Sequence, residues 1–257
     1  MKILNAPQLS MEWFQAHAGV VSGSYMSDVL NFTQKGAPGA SRKTYMRTKL
    51  AELLTGIAIQ DNYVSKEMLD GIEREPAGKA AYELQEGAML DEVGFCLHDS
   101  IPRFGGSMDA LLGEDGFIEL KCPKAGTHLQ WVLDGVVPED HVDQIDAYFS
   151  INGRAWCDFV SYCPMVPKQL QLMVIRRERN EAAISRIENA VIAFNREIDE
   201  KIERLRAIVG PFDLPAAQEA KAKPEQHQDT ADDAFLRDED IEWAARGFKD
   251  EARGAGR

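Results

Sequence analysis

The sequence has no long apolar run. No segment reaches the ~20 consecutive apolar residues that a helix needs to cross a bilayer. The first residues lack the basic-then-apolar plan of a secretory signal, so we expect a cytoplasmic protein without membrane contact. Cysteine is scarce, and the four cysteines form no Cys-x-x-Cys pair. This favours free thiols in a reducing compartment over disulfides or a zinc site.

Positive charge is also in short supply. The 257 residues carry 42 acidic and 29 basic side chains, which gives a formal net charge of −13. Taken alone, such a balance argues against nucleic acid as a partner, because phosphate binding needs a positive surface. From residue 211 onward there are 12 acidic and 7 basic residues, in a composition that can bury little apolar surface. We therefore predict one domain over 1–210 and an acidic, largely flexible tail over 211–257.

Hydrophobic periodicity indicates an α/β domain. Apolar residues recur every three or four positions from Ile184 to Ile208, which predicts a long C-terminal helix that ends at Gly210. Further helices are predicted over 43–55, 67–92 and 141–151, and strands over 95–112, 117–122, 156–162 and 170–176. Helices before, between and after the strands favour a central mixed β-sheet flanked by helices.

Two carboxylates and a lysine flank a glycine-bounded turn. Asp109 precedes the turn, and Glu119-Leu120-Lys121 follows it. If Asp109 pairs opposite Glu119, all three charged groups converge on one face, whereas a slip of one residue sends Asp109 to the other face. We predict the convergent register. Two carboxylates on neighbouring strands suit Mg²⁺, with a backbone carbonyl near Leu120 as a further ligand.

This arrangement matches metal-assisted hydrolysis of a phosphodiester, in which Lys121 holds or activates a water or neutralises charge on a phosphate. The alternative is a surface hairpin that carries a salt bridge, since the spacing alone is common.

A basic segment runs against the acidic total. From residue 35 to 49 there is no acidic side chain, and Tyr45 is interleaved among five cations. We predict a stripe that follows a DNA backbone, with an ordinary solvated helix face as the alternative. The cations are Lys35, Arg42, Lys43, Arg47 and Lys49.

The motifs resemble a known family. Asp109 followed by Glu119-Leu120-Lys121 reproduces the pattern of the PD-(D/E)xK nuclease superfamily. Ser107-x-Asp109 and the Glu-Leu-Lys-Cys-Pro run that begins at Glu119 are similar, more narrowly, to the lambda exonuclease group, or YqaJ-type viral recombinases. Three further segments resemble motifs of this group in the same order: Glu12-Trp13 with Gly19–Ser24, Gly71–Glu75, and His141–Gln144.

The resemblance implies a restriction-endonuclease-like fold and assigns roles in a metal centre. Asp109, Glu119 and the Leu120 carbonyl would bind Mg²⁺, for which Mn²⁺ can substitute. Lys121 would position or activate the attacking water. Glu75 would orient Lys121 or join the outer shell of the metal.

It also implies a pocket for a 5′-phosphate. Ser24, Ser107 and Gln144 fall at its positions, and His17 stands where the better-known members have arginine. Because histidine is mostly neutral at pH 7, either the dependence on a 5′-phosphate is relaxed or another cation compensates. The candidates for that cation are Arg42, Lys43, Arg47 and Lys49.

By this resemblance the protein is a 5′-to-3′ double-stranded DNA exonuclease that leaves 3′ single strands for recombination. The family implies a ring-shaped homotrimer, a single-strand annealing protein as partner, and the cytoplasm of a bacterial host with a phage or prophage origin. Two alternatives are a related endonuclease and a DNA-end-binding adaptor without chemistry. The intact Asp109, Glu119 and Lys121 argue against the adaptor.

Overall fold

Nine strands and seven α-helices follow one another in the part of the chain that the computed structural model describes, residues 1–4, 10–59 and 66–215. The strands are β1 (Lys2–Leu4), β2 (Val21–Ser22), β3 (Leu90–Asp91), β4 (Phe95–Leu97), β5 (Phe104–Gly106), β6 (Ala110–Leu112), β7 (Gly116–Lys121), β8 (Trp156–Tyr162) and β9 (Leu172–Glu178). The helices are α1 (Met11–Ala16), α2 (Met26–Val29), α3 (Ala40–Thr55), α4 (Lys66–Glu86), α5 (Ala125–Asp134), α6 (Glu139–Asn152) and α7 (Glu181–Val209).

A five-stranded mixed sheet carries the candidate site, with strand order β3-β6-β7-β8-β9. Strands β7 and β8 pair in parallel, and the other neighbours pair antiparallel. The chain crosses from β7 to β8 through α5 and α6, as a parallel connection requires. The predicted mixed sheet flanked by helices is confirmed.

Helices cover both faces of this sheet. On one face, Phe117 of β7 packs edge-to-face on Tyr148 and Phe149 of α6. On the other, Gly78 of α4 lies against Leu120, since a Cβ at Gly78 would come within 3.0 Å of that side chain. Because side chains alternate along a strand, Glu119 and Lys121 belong to the face covered by α6.

A second sheet, of order β1-β4-β5-β2, corrects one prediction. The single strand expected over 95–112 is wrong, because the chain there forms three short strands in two sheets. The ring nitrogen Nδ1 of His98 accepts hydrogen bonds from the backbone amides of Ser100 and Ile101, and Arg103 adopts a left-handed φ of 54°. Together these close a turn between β4 and β5.

The four predicted helices are present with shifted ends as α3, α4, α6 and α7, whereas α1, α2 and α5 were not predicted. The predicted stripe of α7 is buried from Ile184 to Ile202, whereas its last residue, Ile208, is 69% exposed, and the helix stops before Gly210 as expected. The helix expected over 67–92 ends earlier, at Gly87 with φ 61°, because glycine adopts that conformation without strain.

No helix in the described ranges combines the length and the apolar character that crossing a bilayer requires. The acidic tail predicted over 211–257 lies outside the described residues from position 216 onward, so the domain boundary near 210 stays a prediction.

Candidate active site

The hairpin of β6 and β7 has the predicted convergent register. Ala110 lies opposite Ile118 and Leu112 opposite Gly116, so Asp109, one residue before β6, falls opposite Glu119. The Asp109 carboxylate accepts a hydrogen bond of 2.5 Å from the backbone amide of Leu120. This contact fixes the carboxylate at the end of β6, beside the strand that carries Glu119.

Glu119 is buried, with 1% of its surface exposed. Its Oε1 accepts hydrogen bonds from the Lys121 ammonium and, at 2.7 Å, from Nε2 of Gln144. Its Oε2 is buried and has no hydrogen-bond donor within the described part of the chain. A buried carboxylate oxygen without a partner is costly, and a bound cation would satisfy it.

The charges at the site are strongly coupled. Burial and the nearby Glu119 carboxylate raise the pKa of Asp109 to about 8. Burial likewise raises the pKa of Glu119, although Lys121 opposes that shift. Burial alone would lower the pKa of Lys121, but the surrounding carboxylates outweigh it and raise that pKa. The site therefore holds more carboxylate than one lysine can neutralise, which favours a divalent cation.

Two carboxylates, those of Asp109 and Glu119, could bind such a cation. Within residues 1–4, 10–59 and 66–215, no cluster of three or more His, Cys, Asp or Glu side chains is arranged to hold a metal ion. Mg²⁺ needs only one or two protein carboxylates, because it retains several waters. Asp109 and the free oxygen of Glu119 fit that requirement.

Glu75 lies nearby on α4 but pairs elsewhere. Its carboxylate forms an ion pair of 3.2 Å with Lys79, one turn further along the helix. Its charge contributes to raising the pKa of Asp109, Glu119 and Lys121. The negative charge of Glu75 therefore acts on the site at a distance, while its carboxylate is paired with Lys79.

The ring of Tyr148 brings the candidate phosphate-binding residues together. A Cβ at Gly23 or at Gly106 would come within 2.6 Å of this ring, so only glycine allows either backbone so close. Ser24 and Ser107 each follow one of these glycines. The Tyr148 hydroxyl accepts a hydrogen bond of 3.1 Å from Gln144. Since Gln144 also donates to Glu119, this contact connects the backbone next to the two serines with the metal-ligand candidate Glu119.

Comparisons with known proteins identify the family. The model of the YqaJ-like viral recombinase domain matches residues 12–155, more than half of the chain. The chain belongs to this family. The resemblance read from the motifs is thereby confirmed, and no curated protein matches the sequence.

Two solved structures resemble this YqaJ-family protein. The alkaline exonuclease LHK-Exo from Laribacter hongkongensis is 36% identical, with a TM-score of 0.71 over 77% of this chain and 97% of that one. It has also been solved in complex with dAMP. A phage related exonuclease from Haemophilus somnus 129PT shares the fold, with 14% identity and a TM-score of 0.58 over 72% of this chain and 96% of that chain. Family and relative together support the predicted DNA exonuclease.

His17 of this YqaJ-family protein is neutral. Its ring lies between Trp13 and Phe95, with centroid distances of 4.0 and 3.9 Å, and Nδ1 lies 2.6 Å from the Trp13 carbonyl oxygen. Burial lowers its pKa to about 4, with a further lowering from Lys49. Trp13 in turn donates a hydrogen bond of 2.9 Å to Ser107, so His17 borders the candidate pocket without adding charge to it.

The predicted basic stripe on α3 needs a correction. Arg42 and Lys49 lie on the buried face of the helix, 2% and 6% exposed, because α3 packs through positions three and four apart. Arg42 forms a two-point ion pair with Glu197 of α7, and Lys49 pairs with Glu52 at 2.7 Å. Neither is placed to contact DNA. The exposed cations of the segment are Lys35, Lys43 and Arg47.

Tyr148 is not among the site residues predicted from the sequence, and its side chain is only 2% exposed. Its hydroxyl nevertheless belongs to the site through Gln144. The available signal was its spacing: four residues after Gln144, Tyr148 lies on the same face of α6, one turn further on.

Replacement of Arg42 by alanine is expected to lower the free energy of unfolding by about 2–3 kcal/mol, because Glu197 and the Val29 carbonyl lose their donor. Arg47→Ala, on the exposed face of the same helix, serves as the control and should change it by less than about 0.5 kcal/mol. Urea unfolding measures both. Equal effects of the two substitutions would contradict the buried placement of Arg42.

The neutral His17 predicts a pH-dependent stability. Its pKa in the folded chain is about 4, below the ordinary 6.5 of the unfolded chain, so the unfolded chain binds a proton first as pH falls. The free energy of unfolding should therefore decrease from pH 6.5 towards pH 4. His17→Phe should remove part of that slope. Denaturation series at pH 7, 6 and 5 test this, and parallel pH profiles would refute it.

Proposed function

We propose that this YqaJ-family protein is a Mg²⁺-dependent exonuclease that degrades the 5′-ended strand of linear duplex DNA and leaves 3′ single strands for annealing-type recombination. The observation that carries the proposal is the pair of Asp109 and Glu119, in which the buried Glu119 keeps one oxygen without a hydrogen-bond donor among the described residues, with Lys121 alongside. The dAMP bound to the 36% identical exonuclease supports a DNA substrate, since dAMP is a nucleotide unit of DNA.

The metal would be held by Asp109, by Oε2 of Glu119 and by the Leu120 carbonyl. In an extended strand the N–H and C=O of one residue point to the same side. Because the Leu120 amide donates to Asp109, the Leu120 carbonyl also points towards Asp109. Leu120 lies beyond the paired part of β6, which begins only at Ala110, opposite Ile118. A bound Mg²⁺, or Mn²⁺ in its place, would supply Lewis-acid polarisation of the phosphate and of the attacking water.

Lys121 would position that water and offset phosphate charge. Its ammonium contacts Glu119, yet the side chain is 30% exposed, so it can reach a substrate from within the site. Its raised pKa keeps it protonated at neutral pH. A protonated lysine donates hydrogen bonds and cannot accept a proton, which favours positioning the water over activating it as a base.

Ser24 and Ser107 would receive the terminal phosphate of the 5′ end, and Gln144 would join them by moving one N–H from the Tyr148 hydroxyl to a phosphate oxygen. Hydroxyl and amide groups can donate hydrogen bonds to phosphate oxygens without carrying charge. Since His17 is neutral and Lys49 is paired with Glu52, we expect a weaker preference for 5′-phosphate ends than a guanidinium would give. The exposed Lys43 and Arg47 are one helical turn apart and would contact the DNA backbone.

Assembly and biological setting rest on the family. A homotrimer would keep the enzyme on its substrate, and a single-strand annealing protein would take up the 3′ strand. The cytoplasm of a bacterial host, with a phage or prophage origin, is the predicted location.

The proposal is tested with linear duplexes labelled at each 5′ and 3′ end in turn, carrying either a 5′-phosphate or a 5′-hydroxyl. With Mg²⁺ the wild type should release nucleotides from the 5′-ended strand. Lys121→Ala should reduce turnover by about 10²-fold or more while duplex binding is kept. Asp109→Asn should abolish turnover, and Asp115→Asn, an exposed acid in the same hairpin, is the control and should not.

Covalently closed duplex separates the alternatives. Cleavage of closed circles would favour the related endonuclease. Binding of duplex ends without nucleotide release, unchanged by Asp109→Asn, would favour the adaptor and refute the enzyme.

A further inference from the structure

The two serines of the candidate phosphate pocket lie on adjacent stretches of backbone. Ser22 of β2 pairs in parallel with Gly105 of β5. Ser24 and Ser107 each stand two residues after one of these paired positions. Each serine is also hydrogen-bonded to a side chain that the proposed function does not use.

The Ser107 hydroxyl accepts a hydrogen bond from Trp13. The indole Nε1 of Trp13 lies 2.9 Å from Oγ of Ser107. An indole N–H can only donate, so Oγ of Ser107 is the acceptor and its own proton points elsewhere. The Trp13 ring packs against Phe14 and His17, at centroid distances of 5.0 and 4.0 Å, which holds the N–H in this direction. The Ser107 O–H is therefore available as a donor.

Ser24 is hydrogen-bonded in the same way, to Ser22. Ser22 is 5% exposed, and its Oγ lies 2.9 Å from Oγ of Ser24. The Ser22 backbone amide donates to the Tyr45 hydroxyl at 3.0 Å, which fixes Ser22 in place. A buried hydroxyl proton needs an acceptor, and within the described part of the chain Ser24 is the partner of the Ser22 hydroxyl. Ser22 is then the donor, and the exposed Ser24 keeps its own proton for a ligand.

Two hydroxyl donors that each accept a hydrogen bond from the protein suit a ligand that only accepts. A hydroxyl that accepts one hydrogen bond donates a stronger one, because the bonds in such a chain polarise one another. A terminal phosphate offers several anionic oxygens, and hydrogen bonds to charged acceptors are the stronger ones. A 5′-hydroxyl end offers a single neutral oxygen.

We propose that Trp13 and Ser22 are positioning residues for the 5′ end of DNA. By donating to the two pocket serines, they direct both hydroxyl protons towards a terminal phosphate, and this selects phosphorylated ends over hydroxyl ends. The inference rests on the proposed function, because it concerns the same pocket, and it adds two residues that act through Ser107 and Ser24.

The test compares KM and kcat on linear duplexes that carry a 5′-phosphate or a 5′-hydroxyl, at saturating Mg²⁺. Trp13→Phe keeps an aromatic ring beside Phe14 and His17 but removes the N–H donor, and Ser22→Ala removes the donating hydroxyl. Loss of either hydrogen bond should raise KM for phosphorylated ends about fivefold and leave kcat within about twofold. KM for hydroxyl ends should rise by less than about twofold, because their neutral oxygen gains less from the two donors.

Trp156→Phe and Ser150→Ala are the matched controls. Trp156 packs against Gly116, which begins β7 at the end opposite to Lys121. The Ser150 hydroxyl donates to Glu188 of α7 at 2.8 Å. Neither control should change KM for either kind of end by more than about twofold.

Double-mutant cycles separate positioning from packing. If Trp13 acts through the Ser107 hydroxyl, then Trp13→Phe should raise KM no further in a Ser107→Ala background. Likewise, Ser22→Ala should have no further effect in a Ser24→Ala background. If Trp13→Phe lowers Tm by more than about 10 °C, benzothienylalanine at position 13, which has the shape of tryptophan without the N–H, takes its place.

The outcomes are distinguishable. An unchanged KM for phosphorylated ends in either variant, equal rises for both kinds of end, or additive effects in either cycle would overturn the inference. A wild type with the same KM for both kinds of end would also overturn it, while nucleotide release that is lost in Asp109→Asn would leave the proposed function standing. A wild type that releases no nucleotides with Mg²⁺ would overturn both.

Discussion

The carboxylates of Asp109 and Glu119 lie side by side in the candidate site. Much of the surrounding structure offsets the free-energy cost of placing two such charges together. Burial and mutual repulsion both oppose their ionisation, which is why the pKa of Asp109 rises to about 8. Lys121 and two further hydrogen-bond donors, the Leu120 amide and Nε2 of Gln144, offset part of the cost. The second oxygen of Glu119, which has no hydrogen-bond donor among the described residues, lies where a divalent cation would complete the charge balance.

Helix α6 connects this pair to the rest of the candidate site. Gln144 donates to Glu119 on one side and to Tyr148 on the other, and the Tyr148 ring lies against the backbone at Gly23 and Gly106. The serines that follow these glycines are therefore placed by the same ring that supports the Glu119 partner. A change in Tyr148 would disturb both the metal ligand and the candidate phosphate pocket, although its side chain is almost fully enclosed.

The sequence was sufficient to predict those features for which side-chain periodicity allows only one or two arrangements. A period of two places Glu119 and Lys121 on one face, and the short turn leaves two registers, of which the observed one joins Asp109 to them. The long apolar stripe of α7 was equally decisive.

The sequence was insufficient where tertiary packing decides the outcome. The run of cations in α3 predicts a DNA-binding stripe as long as the buried face of the helix is not known. In the structure, Arg42 and Lys49 lie on that buried face and pair with Glu197 and Glu52. Part of this was accessible, since Tyr45 lies three positions from Arg42 on one helix face. The pairing with Glu197, 155 residues away, was not, because no local pattern predicts it.

Net charge has a different meaning once these pairs are placed. The total of −13 includes acids that neutralise buried cations and acids that would hold a metal. An acidic total is therefore compatible with the proposed local binding of DNA, for which the exposed cations of the segment are Lys35, Lys43 and Arg47.

The most direct test of this account is an anomalous-scattering map from crystals grown with Mn²⁺. We predict a single strong peak, or two adjacent peaks, bonded to Asp109 and to Oε2 of Glu119, with Oε1 still held by Gln144. A map in which this position is empty, or in which Mn²⁺ binds to other residues while Oε2 finds a protein donor, would contradict it.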